Sequence, residues 1–129
     1  MTTLSFISPF FIVSHLQTSV SFYVEKLGFE IWHMGPGEDP FFAMVGRGPV
    51  SIMLKQVADD VKPGPNHTRH PWASWDAYIS VSEPDILFEE YGRAGVLFRK
   101  PIQVDGDGLF GFEVMDADGY VLFFGCPKS

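Results

Sequence analysis

The stretch Ser14-His15-Leu16-Gln17-Thr18-Ser19-Val20-Ser21-Phe22-Tyr23-Val24-Glu25-Lys26-Leu27-Gly28-Phe29 decides how the rest of the chain is read. It opens on Ser-x-x-Gln, a capping box in which the serine hydroxyl and the glutamine amide each satisfy a free N–H of a nascent helix. Leu16, Val20, Tyr23, Val24 and Leu27 recur at helical spacing. Gly28 stands where a helix turns into the left-handed region, and an apolar run over 29–34 begins just after it. Working outward, an apolar run over 6–13 precedes the helix. Two further runs, 41–45 and 50–57, flank the turn Gly46-Arg47-Gly48-Pro49. The order is strand, helix and three strands.

The same order is then written a second time. Residues 75–81 read as a strand, and Ser82-Glu83-Pro84-Asp85 is another capping box, with proline tolerated in the first helical turn. Leu87, Phe88, Tyr91 and Ala94 make a helix face that Gly95 closes. Short extended pieces at 96–98 and 102–104 lead to a hairpin of 109–115 and 120–125 around Asp116-Ala117-Asp118-Gly119. At a spacing of about 66 to 70, Phe22 falls on Phe88, Phe42 on Phe112 and Leu54 on Phe124. The expected fold is α+β: two βαβββ modules, helices near 15–27 and 83–94, and about eight strands making a curled mixed sheet around a cleft. The chain then forms a single domain, 1–129, of module one (1–58), a linker rich in Pro, Gly, Asn and His (59–71) and module two (72–129). One such unit alone leaves sheet edges bare, so the two must associate.

Composition bounds the function. Of 129 residues, 46% are hydrophobic and 19% charged, which excludes a disordered chain. No apolar run approaches the roughly 20 residues that span a bilayer, and no export signal is evident. The single cysteine, Cys126, fits a reducing cytoplasm. Nine Lys and Arg against 16 Asp and Glu, a net charge of −7, argue against nucleic acid and suit a neutral or cationic ligand. The 16% aromatic content, with 13 Phe, points to an aromatic-lined cavity.

Residues 14–29, together with Asp116-Ala117-Asp118-Gly119-Tyr120-Val121-Leu122-Phe123, resemble the first helix and strand and the closing hairpin of the vicinal oxygen chelate superfamily. That family includes glyoxalase I, fosfomycin-resistance proteins, ring-cleaving dioxygenases, methylmalonyl-CoA epimerase and bleomycin-resistance proteins. The resemblance covers essentially the whole chain. It implies four metal-ligand positions, on the first and last strand of each module, where metal-binding members carry His, Gln or Glu. Here they fall on Ser8, Met53, Asp76 and Phe123. Of these, only Asp76 suits a hard divalent ion, and a catalytic site needs about three protein ligands. A shift of one residue brings in Ile7 or Pro9, Ile52 or Leu54, and Leu122 or Phe124, which ligate no better. No metal or other cofactor is therefore expected.

Strand alternation selects the cleft lining. Ser8, Phe10 and Ile12 share a face, with Ile7, Phe11 and Val13 turned to the helix. Ser51, Met53 and Lys55 join that wall; Asp76, Tyr78 and Ser80 face them from the second half. A three-residue loop, Ala117 to Gly119, pairs Met115 with Val121, Val114 with Leu122, Glu113 with Phe123 and Phe112 with Phe124. The candidate ligand-binding residues are therefore Ser8, Phe10, Met53, Lys55, Asp76, Tyr78, Glu113, Met115 and Phe123, with Trp72, Trp75, Phe41, Phe42 and Phe110 near the rim. Apolar walls with a polar minority describe a small-molecule pocket.

Three functions compete. The first is a metal-free binding protein like the bleomycin-resistance members, dimeric and aromatic-lined, sequestering a partly aromatic, neutral or cationic molecule. The second is an enzyme: a metal-dependent lyase, isomerase or dioxygenase, or a metal-free catalyst with Asp76 and Glu113 as acid and base. Against the latter stands a plain ion pair of these carboxylates with Lys55. The third is an accessory domain whose aromatics fill the cleft. His67 and His70 read as linker residues between Pro65 and Pro71, not as metal ligands. Gly106, Gly108 and Gly111 match Gly-x-Gly-x-x-Gly but precede a strand, so no phosphate loop is implied, and Asp105-Gly106-Asp107-Gly108 reads as a tight turn.

Overall fold

Both helices form where the apolar spacing places them, but the capping is not the one the motifs nominate. The computed structural model describes residues 1–128. Helix α1 spans Leu16–Ser21 and runs on through a wider π-helical turn, Phe22–Lys26. Its N-cap is His15, which makes no side-chain cap, so the Ser14 box is not realised. Instead Gln56 Oε1 accepts the Leu16 N–H at 2.8 Å, and Asp118 Oδ1 accepts the Ser14 N–H at 2.9 Å. Helix α2, Pro84–Arg93, has Glu83 as N-cap, again without a side-chain bond; its first residue is a proline with no N–H to cap. Gly28 and Gly95 end the helices at φ +74° and +82°, as C-terminal glycines do.

The strands make two four-stranded mixed sheets, one per module. The first, ordered β1-β4-β3-β2, holds β1 (Phe10–Ile12), β2 (Glu30–Gly35), β3 (Phe42–Arg47) and β4 (Val50–Lys55). The second, ordered β5-β8-β7-β6, holds β5 (Ala77–Ser80), β6 (Phe98–Val104), β7 (Leu109–Met115) and β8 (Val121–Pro127). In each sheet the module's first strand lies parallel to its last and the other pairs are antiparallel. The βαβββ repeat is therefore the architecture. Strand β1 is shorter than the apolar run over 6–13. Ile7 is exposed and does not pack on the helix, since pairing with β4 begins only at Phe10. The pieces expected at 96–98 and 102–104 are one strand with two register shifts, around a proline that cannot donate to the ladder.

The closing hairpin pairs in the anticipated register, Met115 with Val121 through Phe112 with Phe124, and Gly119 takes φ +91° in its loop. Leu54 and Phe124 hold equivalent places, but the partner of Leu54 is Ala43, so Ala43 and not Phe42 matches Phe112. The first hairpin turns in two residues between Arg47 and Val50, one fewer than the second, and this shifts the match.

The helix-bearing sides of the two sheets share one core. Phe11, Val13, Tyr23, Leu27, Ala43 and Leu54 of the first module join Ile79, Tyr91, Phe112, Leu122 and Phe124 of the second. Each helix reaches the other module. The Tyr23 hydroxyl donates to Asp116 Oδ2 at 2.6 Å, and the Ser19 hydroxyl donates to Asp118. Reciprocally, the Tyr91 hydroxyl donates to the Leu27 carbonyl at 2.9 Å, and Arg47 makes a two-point pair with Glu90. Burial pushes the Tyr91 phenol up to about 12. The linker is not simply solvated. Pro65 is buried, His67 Nε2 donates to the Gly119 carbonyl at 2.8 Å, and the Gly64 N–H donates to the Tyr120 hydroxyl at 3.1 Å.

Candidate functional site

With the helix sides turned inward, the opposite faces of both sheets point outward, and the predicted site residues lie on them. On the second sheet Phe123 sits between Tyr78 of β5 and Glu113 of β7. Its ring lies across the paired glycines Gly111 and Gly125, where a Cβ at either position would run into it. Trp75 stacks on it with centroids 4.6 Å apart and Tyr78 at 5.4 Å. Phe123 is thereby only 4% exposed yet stands outside the shared core, whereas Tyr78 is 43% exposed. The three rings form a platform with one open side. Such offset stacks contribute roughly 0.5–1.5 kcal/mol per pair beyond burial.

Glu113, 4% exposed, anchors this platform. Trp75 Nε1 donates to its Oε2 at 3.1 Å, Arg99 donates to its Oε1, and Lys100 Nζ stands 3.8 Å from Oε2. The ion pair foreseen with Lys55 does not form, because Lys55 belongs to the other sheet, where it lies 5.7 Å from the Phe41 ring centroid. Asp76 is also engaged: Oδ1 accepts the Asn66 N–H at 2.9 Å and Oδ2 the Val121 N–H at 2.8 Å. It ties the linker to β8. Neither carboxylate is a free general base, and Met115 is exposed beyond them at the end of β7.

The first sheet offers a second apolar wall. Phe10 pairs with Met53 and stacks 6.3 Å from Phe42. Trp32, at a register shift in β2, covers Gly46, and the Ser51 hydroxyl beside that glycine is buried without a partner among the described residues. Ser8 is half-buried just ahead of β1. A hollow of about 420 Å³ brings Phe10 and Asp76 together, with Tyr120 and Asn66. Met53 and Lys55 otherwise face away from Glu113 and Phe123. Of the rim residues, Trp75 is part of the platform, Trp72 is exposed, and Phe110 is covered by Lys128 at 4.9 Å. Arg99 carried no motif in the sequence and Gly111 only the Gly-x-Gly-x-x-Gly match that implied no site; the alternation of β7 and β8 is what signals the Gly111–Gly125 pair.

The positions that the family resemblance marks for a metal do not fit one. Asp76 spends both oxygens on backbone N–H groups, while a thioether and a phenyl ring at Met53 and Phe123 give no hard donor. Among the described residues no three His, Cys, Asp or Glu converge, and no helix is long and apolar enough to cross a membrane.

Comparison with known proteins agrees with this geometry. The bleomycin-binding protein from bleomycin-producing Streptomyces verticillus, solved with copper(II)-bleomycin, is 26% identical over 100% of this chain and 99% of its own, with a TM-score of 0.70. TnmS3, an antibiotic binding protein from Streptomyces sp. CB03234, is 18% identical over 99% of this chain and 100% of its own, with a TM-score of 0.72. TioX from Micromonospora sp. ML1 is 20% identical over 94% of each chain, with a TM-score of 0.69. A search of curated proteins finds no match. The family model for the Glyoxalase/Bleomycin resistance protein/Dioxygenase superfamily matches residues 5–124. Two βαβββ modules and a match over nearly the whole length establish that the chain belongs to that superfamily.

Proposed function

We propose that this protein is a metal-free binding protein that sequesters a partly aromatic, neutral or cationic small molecule, a bleomycin-like antibiotic among the candidates. The observation that carries the reading is the Trp75–Phe123–Tyr78 platform, ordered from beneath by Gly111 and Gly125 and open on one side. A planar ligand group would extend the stack. Because Arg99 and Lys100 already answer Glu113, the platform itself favours a neutral ring. The net charge of −7 leaves room for cationic groups beyond it. The likeness to a bleomycin-binding protein supports the same class.

The site residues Ser8, Phe10, Met53 and Lys55 belong to one wall and Asp76, Tyr78, Glu113, Met115 and Phe123 to the other. In a single chain the two walls meet only at the hollow shared by Phe10 and Asp76 and otherwise point apart, so we place the complete cleft between two copies, each lending one wall. The single shared core supports one domain over 1–129, and the lone Cys126 fits a cytoplasmic setting.

Calorimetric titration with bleomycin and with simpler aromatic antibiotics, alongside elemental analysis of dialysed protein, tests the proposal. Saturable binding without stoichiometric metal is expected. Zn, Fe, Mn or Ni retained at one per chain would overturn it and return the protein to the enzyme reading.

A further inference from the structure

The two junctions between the modules follow one plan and are filled differently. The Val13 N–H donates to the Lys55 carbonyl as the Val81 N–H donates to the Gly125 carbonyl. That correspondence sets Phe11 opposite Leu54 against Ile79 opposite Phe124. Counting back along the hairpins, Val50 takes the place of Tyr120 and Arg47 that of Asp116. The buried tyrosines Tyr23 and Tyr91, and not Phe22 and Phe88, match in the two helices, each reaching the other module. In the first junction Tyr120 stacks on Phe11 with centroids 4.1 Å apart and planes within 5°. In the second, Val50 and Ile79 stand in their places, and a hollow of about 290 Å³ remains beside them, bounded by Leu87, Tyr91 and Phe124.

We propose that this hollow is a second ligand site, taking an uncharged aromatic of one or two rings, a phenol or an indole, where the other junction holds the Tyr120 ring. Size agrees, since an apolar cavity of roughly 150 Å³ accepts benzene. Charge agrees as well. The one charged residue lining the hollow is Arg47, and Glu90 holds its guanidinium by two bonds of 2.7 and 3.0 Å. The exposed Ser82 stands at the edge and supplies a hydroxyl for a phenol O–H or an indole N–H. The site is separate from the aromatic platform, because Ile79 and Phe124 point through the sheet opposite to their neighbours Tyr78 and Phe123.

The test is titration of the full chain with indole and with 4-cresol, followed by the methyl resonances of Val50, Ile79, Leu87, Met53 and Met115. Saturable shifts at the first three are expected; movement of the methionines reports binding at the outer faces and is read separately. Val50→Phe, and separately Ile79→Phe, fill the hollow and should weaken both probes by about tenfold or more. Shifts confined to the methionines, no saturation at Val50, Ile79 and Leu87 up to millimolar probe, or undiminished shifts at the remaining hollow methyls in a folded filling variant would each overturn the proposal. The shift map of the unaltered protein decides the matter even if neither variant folds.

Discussion

Burial raises the Asp116 carboxyl to about 6 from its ordinary 3.8. The Tyr23 hydroxyl and the N–H groups of Asp118 and Tyr120, which favour the charged form, do not offset it. The folded state therefore holds this proton more tightly than the unfolded chain. Between roughly pH 4 and 6 the native carboxyl is protonated while the unfolded one is ionised, so stability falls as pH rises through that window and is level above it. A shift of about two units corresponds to about 3 kcal/mol. Asp116→Asn removes this slope: relative to the wild type, the variant gains stability from about pH 4 to about pH 6 and no further. Urea midpoints measured across that range check it, and parallel curves for the two proteins would refute the assignment. The neighbouring phenylalanines give a second test. Phe124, packed on Phe112 and Tyr91 in the core, should cost about 3–5 kcal/mol when cut to alanine. Phe123→Ala should cost less stability and abolish stacking of a ligand on Trp75 and Tyr78, seen as loss of ligand-induced tryptophan quenching. The opposite assignment of effects would put the pocket on the other face.

At the scale of elements, α1 begins on a bond from a distant strand. The Leu16 N–H goes to Gln56, at the end of β4, and not to its nominal capping serine. Gln56→Ala should then destabilise the protein by about 1 kcal/mol, the usual worth of a helix cap, and Ser14→Ala by much less. Thermal denaturation of the pair decides it; equal losses would show that the motif serine caps after all. Helix α2 has no comparable donor to lose, since proline begins it.

At the scale of the molecule, Phe10, Trp32, Tyr78 and Met115 leave exposed apolar side chains on both sheets, and exposed apolar surface of this kind, where contiguous, marks an association site. A symmetric pair would cover it, and light scattering should return twice the chain mass at micromolar concentration. If each cleft takes one wall from each copy, chains carrying Phe10→Ala and chains carrying Phe123→Ala complement one another. Random pairing restores about one quarter of the sites, because half the dimers are mixed and each has one intact cleft. No recovery on mixing would place both walls in one chain.

Periodicities of 2 and 3.6, glycine at helix ends and the closing turn are local properties, and they sufficed to read two βαβββ modules, the register of β7 with β8 and the opposed faces of Phe123 and Phe124. What lay outside local reach depended on residues far apart in the chain. Arg99 and not Lys55 meets Glu113, because they share a sheet and Lys55 does not. Asp76 is spent on the N–H groups of Asn66 and Val121, which only the folded linker brings to it. One residue fewer in the first hairpin moves the repeat match from Phe42 to Ala43. The outward direction of both binding faces follows from the packing of one module's helix side on the other's, a choice set by the shared core and not by the pattern of either half.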